Sequence, residues 1–91
     1  MPFFTLAADW VCEVSSPTTR ALDRVRKMPI YAREHIGHVW LLDPIDRTLE
    51  VFRLEGQAWL LVAAHEGAMK VSAEPFEAIQ IDLGRLWLEG T

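Results

Sequence analysis

The 91-residue sequence contains one cysteine, one tyrosine and three histidines, and it has no long apolar run. The lone Cys12 excludes an internal disulfide framework and a four-cysteine zinc site, and it suits a reducing compartment. No stretch approaches the roughly 18–20 apolar residues that span a bilayer, and no basic-then-apolar leader opens the chain. A glycine-rich phosphate loop is also missing. These absences predict a cytoplasmic protein with no membrane segment.

Charged residues make up an ordinary 24% of the chain, but the basic ones are unevenly placed. The net charge is −4, yet five of the nine basic residues fall between positions 18 and 35: Arg20, Arg24, Arg26, Lys27 and Arg33. An acidic protein does not attract DNA by its overall charge, although one basic helix can form a local phosphate-facing patch. Arg20, Arg24 and Arg26 are therefore candidate nucleic-acid contacts, and a solvated helix face is the alternative.

The hydrophobic pattern predicts an α/β fold. A strand over 10–14 precedes a helix over 19–34, which contains Pro29 and ends at Gly37. The second half of the chain predicts a β-meander and a short C-terminal helix that Asp82 caps. The predicted strands cover 38–43, 48–54, 58–63, 69–72 and 78–81, and the helix covers 83–88. Within the long helix, Leu22, Val25, either Met28 or Pro29, and Ala32 follow the three-to-four spacing that is typical of a buried stripe.

Four residues outside the apolar pattern form a candidate site. Glu13 lies in an apolar strand, where a carboxylate is costly to bury unless it has a partner or faces a cleft. Asp23, Lys27 and Tyr31 follow at i, i+4 and i+8, which places an acid, an ammonium and a phenol on one helix face. The spacing permits a site without requiring one, since Glu13 could face solvent and Asp23 with Lys27 could be an ordinary helix-stabilising pair.

These residues occur in a recognisable order. The sequence reads D-W-V-C-E-V-S-S-P-T-T from Asp9, then Asp23-Arg24, Lys27, Tyr31 and Gly37, then W-L-L-D-P over 40–44. The order resembles a bacterial family of restriction-endonuclease-like proteins in the PD-(D/E)xK nuclease superfamily. The resemblance extends from about Asp9 to Trp87 and includes the hairpin segment R-T-L-E-V-F-R-L over 47–54.

The resemblance implies a restriction-endonuclease-like mixed sheet and Mg²⁺-dependent hydrolysis of nucleic-acid phosphodiesters, with DNA as a partner. It assigns Glu13 as the metal-binding carboxylate and pairs it with Lys27 as the catalytic residues. Ser15 stands where the E-x-K lysine is usual, and Lys27 matches the helical lysine that takes its place in the family. Asp9, Asp23 and Tyr31 match positions with accessory roles.

The sequence departs from its relatives at the N-terminus. Relatives carry an acidic helix and a hairpin before this strand, and the hairpin bears another metal-binding Asp. Because only eight residues precede Asp9, we expect residues 1–91 to form one domain with an incomplete core, weak or absent Mg²⁺ binding and no activity alone. The exposed first strand then predicts a homodimer or a swapped oligomer. The alternative function is a non-catalytic remnant that acts as an oligomerising or binding module.

Overall fold

The computed structural model describes residues 9–14 and 20–89, with the side chains of all but Arg20, Asp23, Leu88 and Glu89. The predicted α/β class is confirmed. The elements in chain order are β1 (Trp10–Val14), α1 (Arg20–Arg33), β2 (His38–Asp43), β3 (Thr48–Glu55), β4 (Ala58–Glu66), β5 (Lys70–Val71), β6 (Ile81–Asp82) and α2 (Leu83–Glu89). No helix within the described ranges is both long and apolar enough to cross a membrane.

The main sheet has the strand order β1-β2-β3-β4. β1 and β2 are parallel, and α1 provides the crossover between them that a parallel pair requires. β2, β3 and β4 form an antiparallel meander, with a register shift between Val51 and Phe52. β5 and β6 make a separate two-stranded sheet. Within the described chain, β1 and β4 are therefore the edges of the main sheet.

Alternating side chains divide the apolar core between the two faces of this sheet. On the α1 face, Val39 and Leu41 of β2 pack with Met28 and Ile36. The opposite face packs against α2 and the small sheet, and its buried residues are Trp40, Leu49, Val51, Val71, Ala73, Leu83 and Trp87. Because β2 contributes to both clusters, it is the strand covered on both faces, as its unbroken apolar sequence indicates.

The C-terminus of α1 differs from the prediction. The helix ends at Arg33, and the left-handed residue after it is His35, with φ of 62°, instead of Gly37. The amide of His35 donates to the carbonyl of Ala32, and the amide of Ile36 donates to the carbonyl of Tyr31, both at 3.0 Å. This 5→2 and 6→1 pair is a Schellman motif, which glycine favours but does not require.

The buried stripe predicted for α1 is wrong at two positions. Leu22 is 48% exposed and Val25 is 72% exposed, whereas Met28 is buried as predicted. The helix turns a partly polar face to the sheet because its basic and phenolic side chains reach carboxylates there. Pro29 lies inside the helix, as predicted.

The later turns and strands follow the prediction except in one segment. Asp43 is buried, and its carboxylate accepts the amides of Ile45 (2.9 Å) and Asp46 (3.0 Å), so it closes the β2–β3 turn. Asp82 caps α2 by accepting the amide of Gly84 at 3.1 Å. The predicted strand over 78–81 is wrong, since residues 78–80 lie outside any strand and β6 begins at Ile81.

Candidate functional site

The structure brings three of the predicted site residues together. Glu13 projects from β1 toward α1, where its Oε1 accepts a hydrogen bond from Lys27 Nζ at 3.0 Å. Its Oε2 accepts the hydroxyl of Tyr31. The Glu13 side chain is 19% exposed and that of Lys27 is 45% exposed, so the ion pair is partly open to solvent where α1 lies over β1. We call the space between α1 and the sheet at this point the crevice. We name Glu13, Lys27 and Tyr31 the carboxylate–lysine–tyrosine cluster.

Local structure explains why these side chains converge. Lys27 and Tyr31 are four residues apart on α1, so they stand one above the other on the same face of the helix. Glu13 is on the α1 face of β1, since Trp10 and Cys12 pack on the opposite face while Val11 packs below the helix. One carboxylate is therefore contacted by two donors from consecutive helical turns.

A second pair of charged residues, which sequence reasoning missed, lies beside this cluster. Arg24 donates from one terminal nitrogen to Oε1 of Glu50 on β3, and its guanidinium carbon lies 5.5 Å from the centroid of the Phe52 ring. Arg24 is 38% exposed and Glu50 is 20% exposed. The sequence did contain an indication that Glu50 has a partner, because it is an acidic residue on the same face of an apolar strand as Phe52.

Strand register fixes the spacing between the two carboxylates. Glu13 is aligned with Leu41 of β2, and Leu41 is aligned with Glu50 of β3. The two acidic residues therefore flank Leu41 on one face, with backbones about 10 Å apart at the usual ~4.8 Å between strands. Arg24 and Lys27, three residues apart on α1, lie above them. Among the described side chains, the crevice thus contains two cations and two carboxylates, arranged as two pairs.

Other predicted residues lie elsewhere or outside the described part. Asp9 is exposed, and four residues of extended chain, about 13 Å, separate it from Glu13. Its backbone carbonyl accepts the amide of His38 at 3.1 Å. Arg26 is exposed on α1. The side chains of Asp23 and Arg20 lie outside the described residues, so their predicted roles stay predictions.

The described residues do not form a complete metal site. Across residues 9–14 and 20–89, no group of three histidine, cysteine or acidic side chains is placed to hold a metal ion. Mg²⁺ takes oxygen ligands, commonly one or two carboxylates with waters and substrate phosphates. In the cluster, Glu13 is the carboxylate that could contribute, and both of its oxygens already accept hydrogen bonds. Its role as a metal ligand stays a prediction.

The neighbouring thiol lies away from the cluster. Cys12 precedes Glu13 in β1, is half-buried and packs on the opposite face of the sheet. Burial raises the pKa of the Cys12 thiol, and the adjacent Glu13 carboxylate raises it further. A raised pKa favours the protonated thiol over the thiolate, which is the nucleophilic form.

A separate polar network lies on the face of the sheet opposite α1. The Glu74 carboxylate bonds to His38 Nε2 at 2.9 Å and accepts the Arg53 guanidinium at 3.0 Å and 3.2 Å. These hydrogen bonds, that of His38 first, hold the pKa of Glu74 below its ordinary value. Trp40 Nε1 donates to the Glu74 carbonyl at 2.6 Å. Because every contact ties the segment after β5 to the sheet, the network is structural.

The comparisons with known proteins identify one family. The sequence model of the Uma2 family, whose description is "Putative restriction endonuclease", matches residues 2–84. No curated protein matches the chain. The matched range includes both β1 and α1, and therefore every residue of the carboxylate–lysine–tyrosine cluster.

Proposed function

This chain belongs to the Uma2 family, whose description is "Putative restriction endonuclease", and we propose that it is a nuclease domain that hydrolyses phosphodiester bonds of nucleic acid. The observation that carries the proposal is the contact of Glu13 with both Lys27 and Tyr31 in the crevice. A carboxylate and an ammonium within hydrogen-bond distance, both partly open to solvent, are the groups such a reaction uses.

In this proposal each side chain has a distinct role. The Lys27 ammonium offsets the negative charge that develops on the phosphoryl oxygens during attack by water. Glu13 holds Lys27 in place, and its carboxylate is the group toward which a cation would be drawn. Tyr31 fixes the second oxygen of Glu13 by donating its hydroxyl. The pair is preorganised, since strand and helix present these groups before any substrate arrives.

Mg²⁺ dependence is part of the proposal, although the described residues supply an incomplete set of ligands. Family membership supports magnesium, while the cluster offers one carboxylate where such a cation commonly takes one or two. We therefore expect weak binding of Mg²⁺ or Mn²⁺ by the isolated chain and, at most, slow cleavage. Both should depend on Glu13, because it is the carboxylate in contact with Lys27, whereas Glu50 lies two strands away.

The experiment combines plasmid nicking at high protein concentration with calorimetry of Mn²⁺ binding. Wild type is compared with Glu13→Gln, Lys27→Met and a control, Glu77→Gln, which removes an equal charge from an exposed turn. Slow nicking that needs a divalent ion, is lost in Glu13→Gln and Lys27→Met and persists in Glu77→Gln supports the proposal. Of the three variants, only Glu13→Gln should lose Mn²⁺ binding.

Two results would overturn the nuclease proposal. One is nicking that survives in Glu13→Gln, because the activity would then come from another site or a contaminant. The other is a folded wild-type chain that neither binds Mn²⁺ nor cleaves DNA. That outcome favours the alternative, in which the chain is a non-catalytic module for oligomerisation or binding.

We also propose that a second copy of the chain pairs with the free edge of β1. Within the described residues β1 pairs with β2 alone, and Val14 at its end is 66% exposed. Unpaired strand edges with apolar side chains favour pairing with another chain. Light scattering after size exclusion should give a dimer for wild type and for Leu60→Lys on the opposite edge, but a monomer for Val14→Lys. A monomeric wild type contradicts the proposal.

A further inference from the structure

Arg24 is held differently from Arg26 and Lys27 on the same helix. Its guanidinium lies over the Phe52 ring and makes a single-nitrogen contact with one oxygen of Glu50. Within the part of the chain that the structure describes, its Nε is buried and has no hydrogen-bond partner. A guanidinium can bind an anion through two parallel N–H groups, so the Glu50 contact uses only part of its capacity.

The described charges at the centre of the crevice balance one another. Lys27 is paired with Glu13, and Arg24 is paired with Glu50, so each of these two cations already has a carboxylate partner. A phosphate group that enters between them meets no excess positive charge from these four side chains. It must replace one of the two carboxylates, and Lys27 is tied to a carboxylate that Tyr31 also holds. The Arg24–Glu50 contact, with one nitrogen engaged, is the easier of the two to exchange.

We propose that Arg24 binds a backbone phosphate of duplex DNA next to the scissile one, and that Glu50 occupies the guanidinium until DNA replaces it. This inference rests on the proposed function, since it takes nucleic acid as the substrate of the crevice. Phe52 lies under the guanidinium and holds it over the sheet during the exchange. Arg26 lacks such a cradle, because it is exposed on α1.

The test measures DNA binding by fluorescence anisotropy in EDTA, so that cleavage plays no part. The proteins are wild type, Glu50→Gln, Arg24→Gln, the double variant, and Arg26→Gln and Glu77→Gln as controls of equal charge change. We expect Glu50→Gln to bind about 3- to 5-fold more tightly, since an exchangeable surface ion pair is worth under about 1 kcal/mol. Glu77→Gln should change binding less than about 1.5-fold by comparison.

Arg24→Gln should weaken binding by about 5- to 10-fold, which is the loss of one charged phosphate contact, and lower the salt-dependence slope by about 0.9. Arg26→Gln should have a smaller effect. The double variant is decisive, because Glu50→Gln must bring no gain once Arg24 is absent. If Arg24→Gln unfolds, Arg24→Lys keeps the charge and loses the planar fork, and should fall between wild type and Arg24→Gln.

Three results overturn the inference: unchanged or weaker binding in Glu50→Gln, an equal gain in the double variant, or no DNA binding by wild type and Glu50→Gln alike. An RNA duplex of the same sequence forms a second arm, and tighter binding of RNA than of DNA contradicts the choice of DNA. Failure of the proposed function remains distinguishable. Arg24-dependent binding in EDTA together with absent cleavage would support the contact between Arg24 and a DNA phosphate and reject the nuclease.

Discussion

The ion pair between Glu13 and Lys27 can be tested directly in solution. The perturbations are Glu13→Gln and Lys27→Met, made singly and together, because a double-mutant cycle cancels whatever else each side chain contacts. If the crevice forms as the structure shows, the two substitutions must be coupled. We expect the free energy of unfolding to reveal a favourable coupling of about 1 kcal/mol at low ionic strength.

That magnitude follows from the geometry. At 3.0 Å between Nζ and Oε1, Coulomb's law gives about 5.5 kcal/mol at an effective dielectric of ~20 and about 1.4 kcal/mol at ~80. Lys27 is 45% exposed, so water screens the pair and the lower figure applies. Fixing a long lysine side chain then removes a few tenths of a kcal/mol more, which leaves about 1 kcal/mol.

The assay is urea unfolding followed by circular dichroism, at about 10 mM and about 1 M NaCl. The screening length falls from about 30 Å to about 3 Å between these conditions, so the coupling should fall by more than about half. A coupling below about 0.3 kcal/mol at low salt would contradict a stabilising ion pair between Glu13 and Lys27, for which ~1 kcal/mol is expected. So would a coupling that salt leaves unchanged, because the interaction would then be packing instead of charge.

Three further predictions concern the fold. Leu49→Ala removes a fully buried side chain and should lower the free energy of unfolding in urea by about 2–5 kcal/mol. Leu60→Ala, at a half-exposed edge position, is the control. An equal loss of stability in the two variants would contradict the assigned core. His35→Gly should raise the melting temperature, because glycine adopts the φ of 62° without the cost of about 1 kcal/mol that other residues carry there. Gly56→Ala, at a φ of 64°, should lower the melting temperature for the same reason. Melting temperatures that shift in the same direction in both variants would contradict this prediction. Because folding lowers the pKa of Glu74, the stabilisation that Glu74 contributes is present above its ordinary pKa of 4.5 and is lost as the pH falls below 4.5 toward the folded pKa. In Glu74→Gln, the free energy of unfolding should therefore depend less on pH in that range. An unchanged pH dependence would show that the network contributes nothing.

The sequence predicted most of the fold because its signals are local. Alternation within β3 and the apolar run of β2 depend on neighbouring residues, and both strands lie where predicted. Predictions from the sequence were wrong where hydrogen bonds or tertiary contacts outweighed the conformational preference of a residue. Gly37 was the obvious helix terminator, but His35 adopts the left-handed conformation because hydrogen bonds of the following turn hold it there. Val25 fits an apolar stripe, yet it is exposed because α1 is oriented by its polar contacts.

Local sequence pattern is enough to place an acidic residue, Glu13, on a strand and to place a lysine and a tyrosine four residues apart on the helix that follows it. Which carboxylate each cation contacts is set by tertiary packing. Lys27 contacts a residue 14 positions away, and Arg24 contacts Glu50, 26 positions away. The physical reason is that strand register across Leu41 and the rotation of α1 depend on packing over the whole sheet, which no local pattern encodes.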